Sequence, residues 1–238
     1  MDIHATKAVR VEELTFDGFL IDMDGTLIDT TAAVTKHWAD VGKQIGVDPA
    51  LILETSHGRR SMDVLKIVAP EFATWDFVRN IESAIPKNHG HLAMQIPGAF
   101  DFLTALTSHL APWTLVTSSS SALVLAWQRI LRLPLPEPEL LITAESVQNG
   151  KPDPACYILG REILRLNNKT PGILVVEDSP AGIRAGKAAN CWVVGLLTSH
   201  SEEQIAAAGP DWIIQDLKSV KVLRKDGGKV IIELHSRA

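Results

Sequence analysis

Cysteine is scarce. Cys156 and Cys191 are the only two in 238 residues, and nothing in their spacing supports a disulfide or a metal pair. Both stand in apolar surroundings, so the expectation is two buried thiols in a reducing cytosol. No histidine–cysteine cluster has the spacing of a zinc site. No apolar run approaches the roughly 20 residues that cross a bilayer. Met1 to Glu13 is mixed and charged, without the apolar centre of a signal peptide. Basic clusters are also missing, and the net charge of −5 argues against a nucleic-acid partner held by broad electrostatics. No G-x-x-x-x-G-K-[ST] run points to ATP, and there is no internal repeat or low-complexity tract. With 46% hydrophobic and 21% charged residues, the profile is that of an ordinary soluble globular protein of one large or two modest domains, and a cytoplasmic location is expected. Nothing suggests an oligomer interface, so a monomer is expected.

What is present is organised around Phe19-Leu20-Ile21-Asp22-Met23-Asp24-Gly25-Thr26-Leu27-Ile28-Asp29. The apolar run reads as a buried strand. It ends in two acids one residue apart. Carboxylates this close in a partly dry site repel each other, so a positive charge is expected between them. Gly25 lets the chain turn away, and Thr26 can hydrogen-bond at the strand tip. Open α/β sheets bind ligands at the carboxyl ends of their strands, where this pair lies.

From Thr30 to Gln95 the pattern is helical throughout and shows no strand signal. Thr30 and Thr31 can cap a helix that stops near Gly46. Asp48-Pro49 opens a second, Ser61 a third, and Trp75 to Ile85 reads as a fourth. Ile96-Pro97-Gly98 leads back. Strands then alternate with helices: Trp113 to Thr117, Leu140 to Thr143, Ile173 to Val176, Trp192 to Leu197 and Trp212 to Ile214, with helices from Ala99, Ala122, Pro154 and Pro180. The alternation predicts an α/β, Rossmann-like, mostly parallel sheet with helices on both faces, interrupted by an inserted all-helical domain. The boundaries expected are 1–29 and 96–238 for the sheet domain and 30–95 for the helical cap. The tail, Val220 to Leu223 and Val230 to Leu234 around Gly227-Gly228, reads as an antiparallel hairpin at an edge.

Four strand ends or loops carry polar residues that can converge. Each has a use in phosphoryl transfer through an aspartyl phosphate. Asp22 can attack phosphorus. A hard cation, Mg²⁺, can bridge Asp22 and the phosphate through oxygen ligands, with Asp178 as the distant carboxylate. Glu177 is an outer-shell or direct ligand. Asp24 can protonate the leaving alkoxide and then deprotonate water, and its backbone carbonyl can face the metal. Thr117 and Ser118 offer a phosphate grip at a strand-to-helix turn. Lys151 can offset the crowded negative charge.

Asp22-Met23-Asp24-Gly25-Thr26, Thr117-Ser118, Lys151-Pro152 and Glu177-Asp178-Ser179-Pro180-Ala181-Gly182 resemble the haloacid-dehalogenase-like hydrolase superfamily, in its helical-cap phosphatase branch. Ser56-His57-Gly58-Arg59-Arg60, Ile85-Pro86-Lys87-Asn88-His89-Gly90 and Asn149 to Pro154 are similar to the fungal glycerol-phosphate and 2-deoxyglucose-6-phosphate phosphatase group. The resemblance implies a cytosolic, Mg²⁺-dependent hydrolase of a small polyol or sugar phosphate, and a cap that closes over the site. It implies Asp22 as nucleophile, Asp24 as acid and base, and Asp22, the Asp24 carbonyl and Asp178 around the metal. His57, Arg59, Arg60 and Lys87 are the cap residues expected to contact substrate. One departure stands out. Ser119 occupies a position where that group more often has glycine, and a side chain there restricts close approach of the backbone to substrate.

The same core also supports a sugar phosphomutase. A dehalogenase would have no evident need for Asp24, which counts against it. A non-catalytic binding module on a retained fold remains a different class of reading.

Overall fold

The computed structural model describes residues 8–56, 58–168 and 172–237. In chain order the elements are β1 (Val9–Phe16), β2 (Gly18–Ile21), β3 (Ile28–Asp29), α1 (Thr31–Ile45), α2 (Pro49–Ser56), α3 (Ser61–Val68), α4 (Trp75–His89), β4 (Met94–Gln95), α5 (Ala99–Ser108), β5 (Trp113–Val116), α6 (Ser121–Leu131), β6 (Leu141–Ile142), α7 (Ala155–Ile163), β7 (Ile173–Glu177), α8 (Pro180–Ala188), β8 (Trp192–Leu196), α9 (Glu202–Ala207), β9 (Trp212–Ile214), β10 (Val220–Asp226) and β11 (Lys229–Arg237).

Six strands form one sheet in the order β6-β5-β2-β7-β8-β9, all parallel. Every residue of β2, β5 and β7 is buried. The side-chain alternation of a strand sends Phe19 and Ile21 to one face and Leu20 to the other. Phe19 and Ile21 join a cluster with Leu103, Leu115 and Val176, and Leu20 joins one with Val116, Val175 and Ile183. Both faces are covered, which is why these strands read as unbroken apolar runs. Because the strands are parallel, the polar residues that follow β2, β5 and β7 gather at one end of the sheet.

Helices α1 to α4 are inserted between β3 and β4. They bury an apolar cluster of their own, centred on Trp38, Val41, Ile52, Leu65, Val78 and Ile81. The expectation of a strand-free 30–95 needs correcting at one point. Met94 and Gln95 pair antiparallel with Asp29 and Ile28. The chains entering and leaving the helical layer run side by side, and their backbone groups pair. Two residues are too few to carry a period, so the sequence pattern holds no trace of them.

The tail hairpin forms, but not at an edge of the parallel sheet. It builds a separate antiparallel sheet with β1 in the order β1-β11-β10. Gly227 and Gly228 have φ of 55° and 84°, as a two-residue turn with positive φ at both positions requires. Among the described residues, no helix is long and apolar enough to cross a membrane.

Candidate active site

Asp22 directly follows β2 and is 6% exposed. Its backbone N–H donates to Val176 O at 3.0 Å, so the ladder with β7 continues through it. Lys151, on the loop before α7, donates from Nζ to Asp22 Oδ1 at 2.5 Å, to Glu177 Oε1 at 2.7 Å and to Val116 O at 3.2 Å. An ammonium has three donors, and all three are used. Burial alone would lower the Lys151 ammonium, but Asp22 and Glu177 outweigh it and hold the charge above its ordinary range. The positive charge expected between Asp22 and Asp24 is Lys151, but it sits between Asp22 and Glu177 instead.

Glu177 is fixed on both oxygens. Oε1 also accepts from Tyr157 OH at 2.9 Å. Oε2 accepts from Asp178 N, Ser179 N and Ser179 Oγ at 3.0, 2.9 and 3.0 Å. Asp178 Oδ1 accepts from Thr26 Oγ1 at 3.0 Å, and Oδ2 accepts from Ser199 Oγ. One oxygen from each of Asp22, Glu177 and Asp178 lies within 4.8 Å of the others. Burial, and then the charge of Glu177, push the Asp178 carboxyl up to about 7. Gly25, at φ 87°, passes so close that a Cβ would sit 2.0 Å from Asp178 Oδ2. Any larger residue there displaces the carboxylate.

Asp24 points to a different set of partners. Its Oδ1 accepts from Thr30 Oγ1 at 2.9 Å. Its Oδ2 accepts from Ser119 Oγ at 2.7 Å, with Thr117 Oγ1 at 3.5 Å. Burial raises the Asp24 carboxyl, and the Ser119 and Thr30 hydroxyls hold part of that rise back. Two carboxylates two residues apart thus sit in different environments. One is clamped by a cation, the other held by hydroxyls, an arrangement that separates acid–base roles.

A cavity between the strand ends and the helical layer brings together Asp22, Asp24, Thr117, Ser118, Ser119, Asp178 and Arg59. Ser118 Oγ donates to Gly58 O at 3.1 Å, joining the grip loop to the segment between α2 and α3. His57 lies outside the described residues. Two expectations for the helical layer fail. Arg60 does not line the cavity. It is 3% exposed, and its five N–H donors go to Asp63 Oδ1 and Oδ2 and to the carbonyls of Ala144, Val147 and Gln148. Bonds to three core carbonyls make it a clamp between α3 and the sheet domain, with no donor left for substrate. Lys87 stands exposed in the last turn of α4, away from the cavity. A cation beside a helix C-terminus is favourably placed there without any ligand.

Three contributors were not legible beforehand. Thr30 reads as a helix cap, but its side chain makes no cap bond and instead holds Asp24. Ser199 follows β8 and holds Asp178. Glu82 of α4 lines the cavity although it lies in a polar stretch of helix. The serine at position 119 also acquires a use, since its hydroxyl is the closest donor to Asp24.

The model of haloacid dehalogenase-like hydrolases matches residues 16–190. A 2-deoxyglucose-6-phosphate phosphatase of Saccharomyces cerevisiae is 32% identical over 94% of this chain and 97% of its own. A glycerol-1-phosphate phosphohydrolase of the same yeast is 35% identical over 88% of this chain and 86% of its own. The crystal structure of a hydrolase from Pseudomonas syringae shares the fold, with a TM-score of 0.72 at 20% identity over 84% of this chain and 94% of that one. With the acid pair, the buried lysine and the carboxylates after β7 gathered at one sheet end, the chain belongs to the haloacid dehalogenase-like hydrolase family.

Proposed function

We propose that the protein is a phosphatase that hydrolyses a small polyol or sugar phosphate through a phosphorylated Asp22. The observation that carries this reading is the division of labour between the paired acids. Asp22 is buried, ionically clamped by Lys151 and, among the described residues, without a hydroxyl partner, while Asp24 is held by the hydroxyls of Thr30 and Ser119. The similarity to yeast phosphatases of 2-deoxyglucose 6-phosphate and glycerol 1-phosphate supports the substrate class.

In this reading the Asp22 carboxylate attacks phosphorus, and Asp24 gives its proton to the leaving alkoxide. Asp24, now ionised, takes a proton from the water that cleaves the acyl phosphate and regenerates Asp22. Thr117 and Ser118 grip the phosphate, and Lys151 offsets the charge that accumulates between it and Asp22. Residues 1–29 and 96–238 form the catalytic core and 30–95 the cap, in which Arg59 faces the substrate side.

The donor set suits a hard divalent cation such as Mg²⁺, because it offers oxygens alone. Asp22, Asp178 and the Asp24 carbonyl would hold it, with Glu177 behind them in the outer shell, since its two oxygens are already engaged. When bound, the ion supplies positive charge to the phosphoryl oxygens. The closeness of the buried Asp22, Glu177 and Asp178 oxygens is the feature that fits it, because the lysine alone leaves this cluster net negative.

The test is release of inorganic phosphate from both glycerol phosphates, 2-deoxyglucose 6-phosphate, hexose and polyol phosphates and nucleotides. A preference for one small polyol or sugar phosphate is expected, lost in excess chelator and restored by Mg²⁺. Full activity in chelator, or no release from folded protein, contradicts the reading.

A second expectation concerns the departure at position 119. The Ser119 hydroxyl stabilises the ionised form of Asp24, so Ser119→Gly raises the Asp24 carboxyl further. Since Asp24 must start as an acid, the alkaline limb of kcat/KM against pH should move up, with a loss in rate of about tenfold or less. An unmoved limb would separate Ser119 from the acid–base chemistry.

A further inference from the structure

One buried acid of the cavity has no part in the mechanism above. Glu82, on α4, is 3% exposed and lines the cavity with Asp22 and Asp24. Its Oε1 accepts from Ser61 Oγ at 2.7 Å, and its Oε2 accepts from Ser120 N at 3.1 Å. One bond ties it to the start of α3. The other ties it to the residue preceding α6, at the end of the phosphate-gripping loop. The carboxylate is thereby oriented without being exhausted. It has about four acceptor positions, and these two protein donors fill half of them.

The other carboxylates of the lining, Asp22, Asp24 and Asp178, already serve the phosphoryl group. Val34, Trp38, Ile85 and Leu123 present apolar surface. Ser120, whose N–H holds Glu82, directly follows Ser119, whose hydroxyl holds Asp24, so the two acids are anchored to adjacent residues of one loop. The neighbour of Glu82 is therefore the group that serves the ester oxygen. A hydrogen-bond acceptor beside that oxygen, with apolar surface next to it, suits an alcohol whose carbons pack on that surface and whose hydroxyl donates to Glu82.

We propose that Glu82 accepts a hydrogen bond from a hydroxyl of the substrate's alcohol part, next to the ester carbon, and so selects phosphate esters of polyhydroxylated alcohols over those of simpler ones. This rests on the phosphatase reading and adds to it the residue that recognises the leaving group. Discrimination follows from burial. A substrate that lacks the hydroxyl shuts water out of the site and gives the acceptor nothing in exchange.

The test compares kcat/KM for glycerol 1-phosphate and for propane-1,3-diol phosphate, which lacks the middle hydroxyl. The wild-type protein should favour the glycerol ester by about tenfold or more. Glu82→Leu should shrink that ratio by about 10- to 100-fold, the span of a hydrogen bond to a charged group. Glu82→Gln, which can keep the bonds to Ser61 and Ser120, should shrink it less, and circular dichroism melting reports whether each variant is folded. Should Glu82→Leu fail to fold, the wild-type ratio and Glu82→Gln decide. Equal wild-type turnover of the two esters overturns the proposal. So does a Glu82→Gln variant that slows both esters alike, because Glu82 would then only hold the loop. No phosphate release by the wild type from either ester or from any ester of the wider panel overturns the phosphatase reading and this proposal with it.

Discussion

Asp22→Asn stays folded and loses phosphate release by about ten-thousand-fold or more. The loss is large because an amide oxygen is a far weaker nucleophile than a carboxylate, and no other group stands in the same place. Asp24 is turned toward Thr30 and Ser119. Glu177 has both oxygens occupied, and Asp178 is held by Thr26 and Ser199. The fold survives for a separate reason. Asp22 sits in a cluster with Glu177 and Asp178, and burial raises its carboxyl despite the opposing charge of Lys151. Asparagine removes one of three crowded negative charges and still offers an oxygen to Lys151 Nζ. The melting temperature should therefore hold or rise. A variant that unfolds would show that the carboxylate is needed for the architecture, and its inactivity would say nothing about chemistry.

Lys151→Met has a large effect of another kind. It removes the one cation that bonds both Asp22 and Glu177, each within 2.7 Å. Breaking a buried ion pair from one side typically costs about 3–5 kcal/mol, because the partner charge is left without compensation. Methionine fills much of the volume, so the loss is electrostatic more than steric. For a chain of this length that predicts a fall in melting temperature of about 6–20 °C. The turnover of any remaining folded protein should fall by about a hundredfold or more, since the repulsion between Asp22 and the phosphate then loses the lysine's compensation. The double variant Asp22→Asn/Lys151→Met should regain part of the lost stability, as residues of one charge network are not additive. A double variant no more stable than Lys151→Met alone would contradict the network.

How much of this was visible beforehand follows from which interactions are local. β2, β5 and β7 are buried on both faces, and so appear as apolar runs whose polar successors stand out. Asp22, Asp24, Thr117, Glu177 and Asp178 were legible for that reason, while Lys151 stood out in the turn-forming run Asn149 to Pro154. Residues whose partners are remote were misread or passed over. Arg60 stands in a cation-rich break and looks like an anion contact, yet the carbonyls it clamps lie 84 to 88 residues away. Glu82 looks like one more solvated helix acid, and its Ser120 partner is 38 residues on. Thr30 could equally cap α1 or reach back six residues to Asp24, and local pattern cannot choose between them. β1 was hidden by Glu12 and Glu13, which interrupt an otherwise alternating strand. Its apolar Val9 and Val11 face out, and only Leu14 and Phe16 mark the inner side.

The central claim is that phosphate passes through Asp22. The most direct measurement is an acid quench during turnover of a phosphate ester labelled in its phosphoryl group, followed by mapping of the labelled peptide. Label on the peptide that carries Asp22, absent in Asp22→Asn, is the expected result. Phosphate released at the full rate with no label on that peptide at any quench time, or label on a different residue, would contradict it.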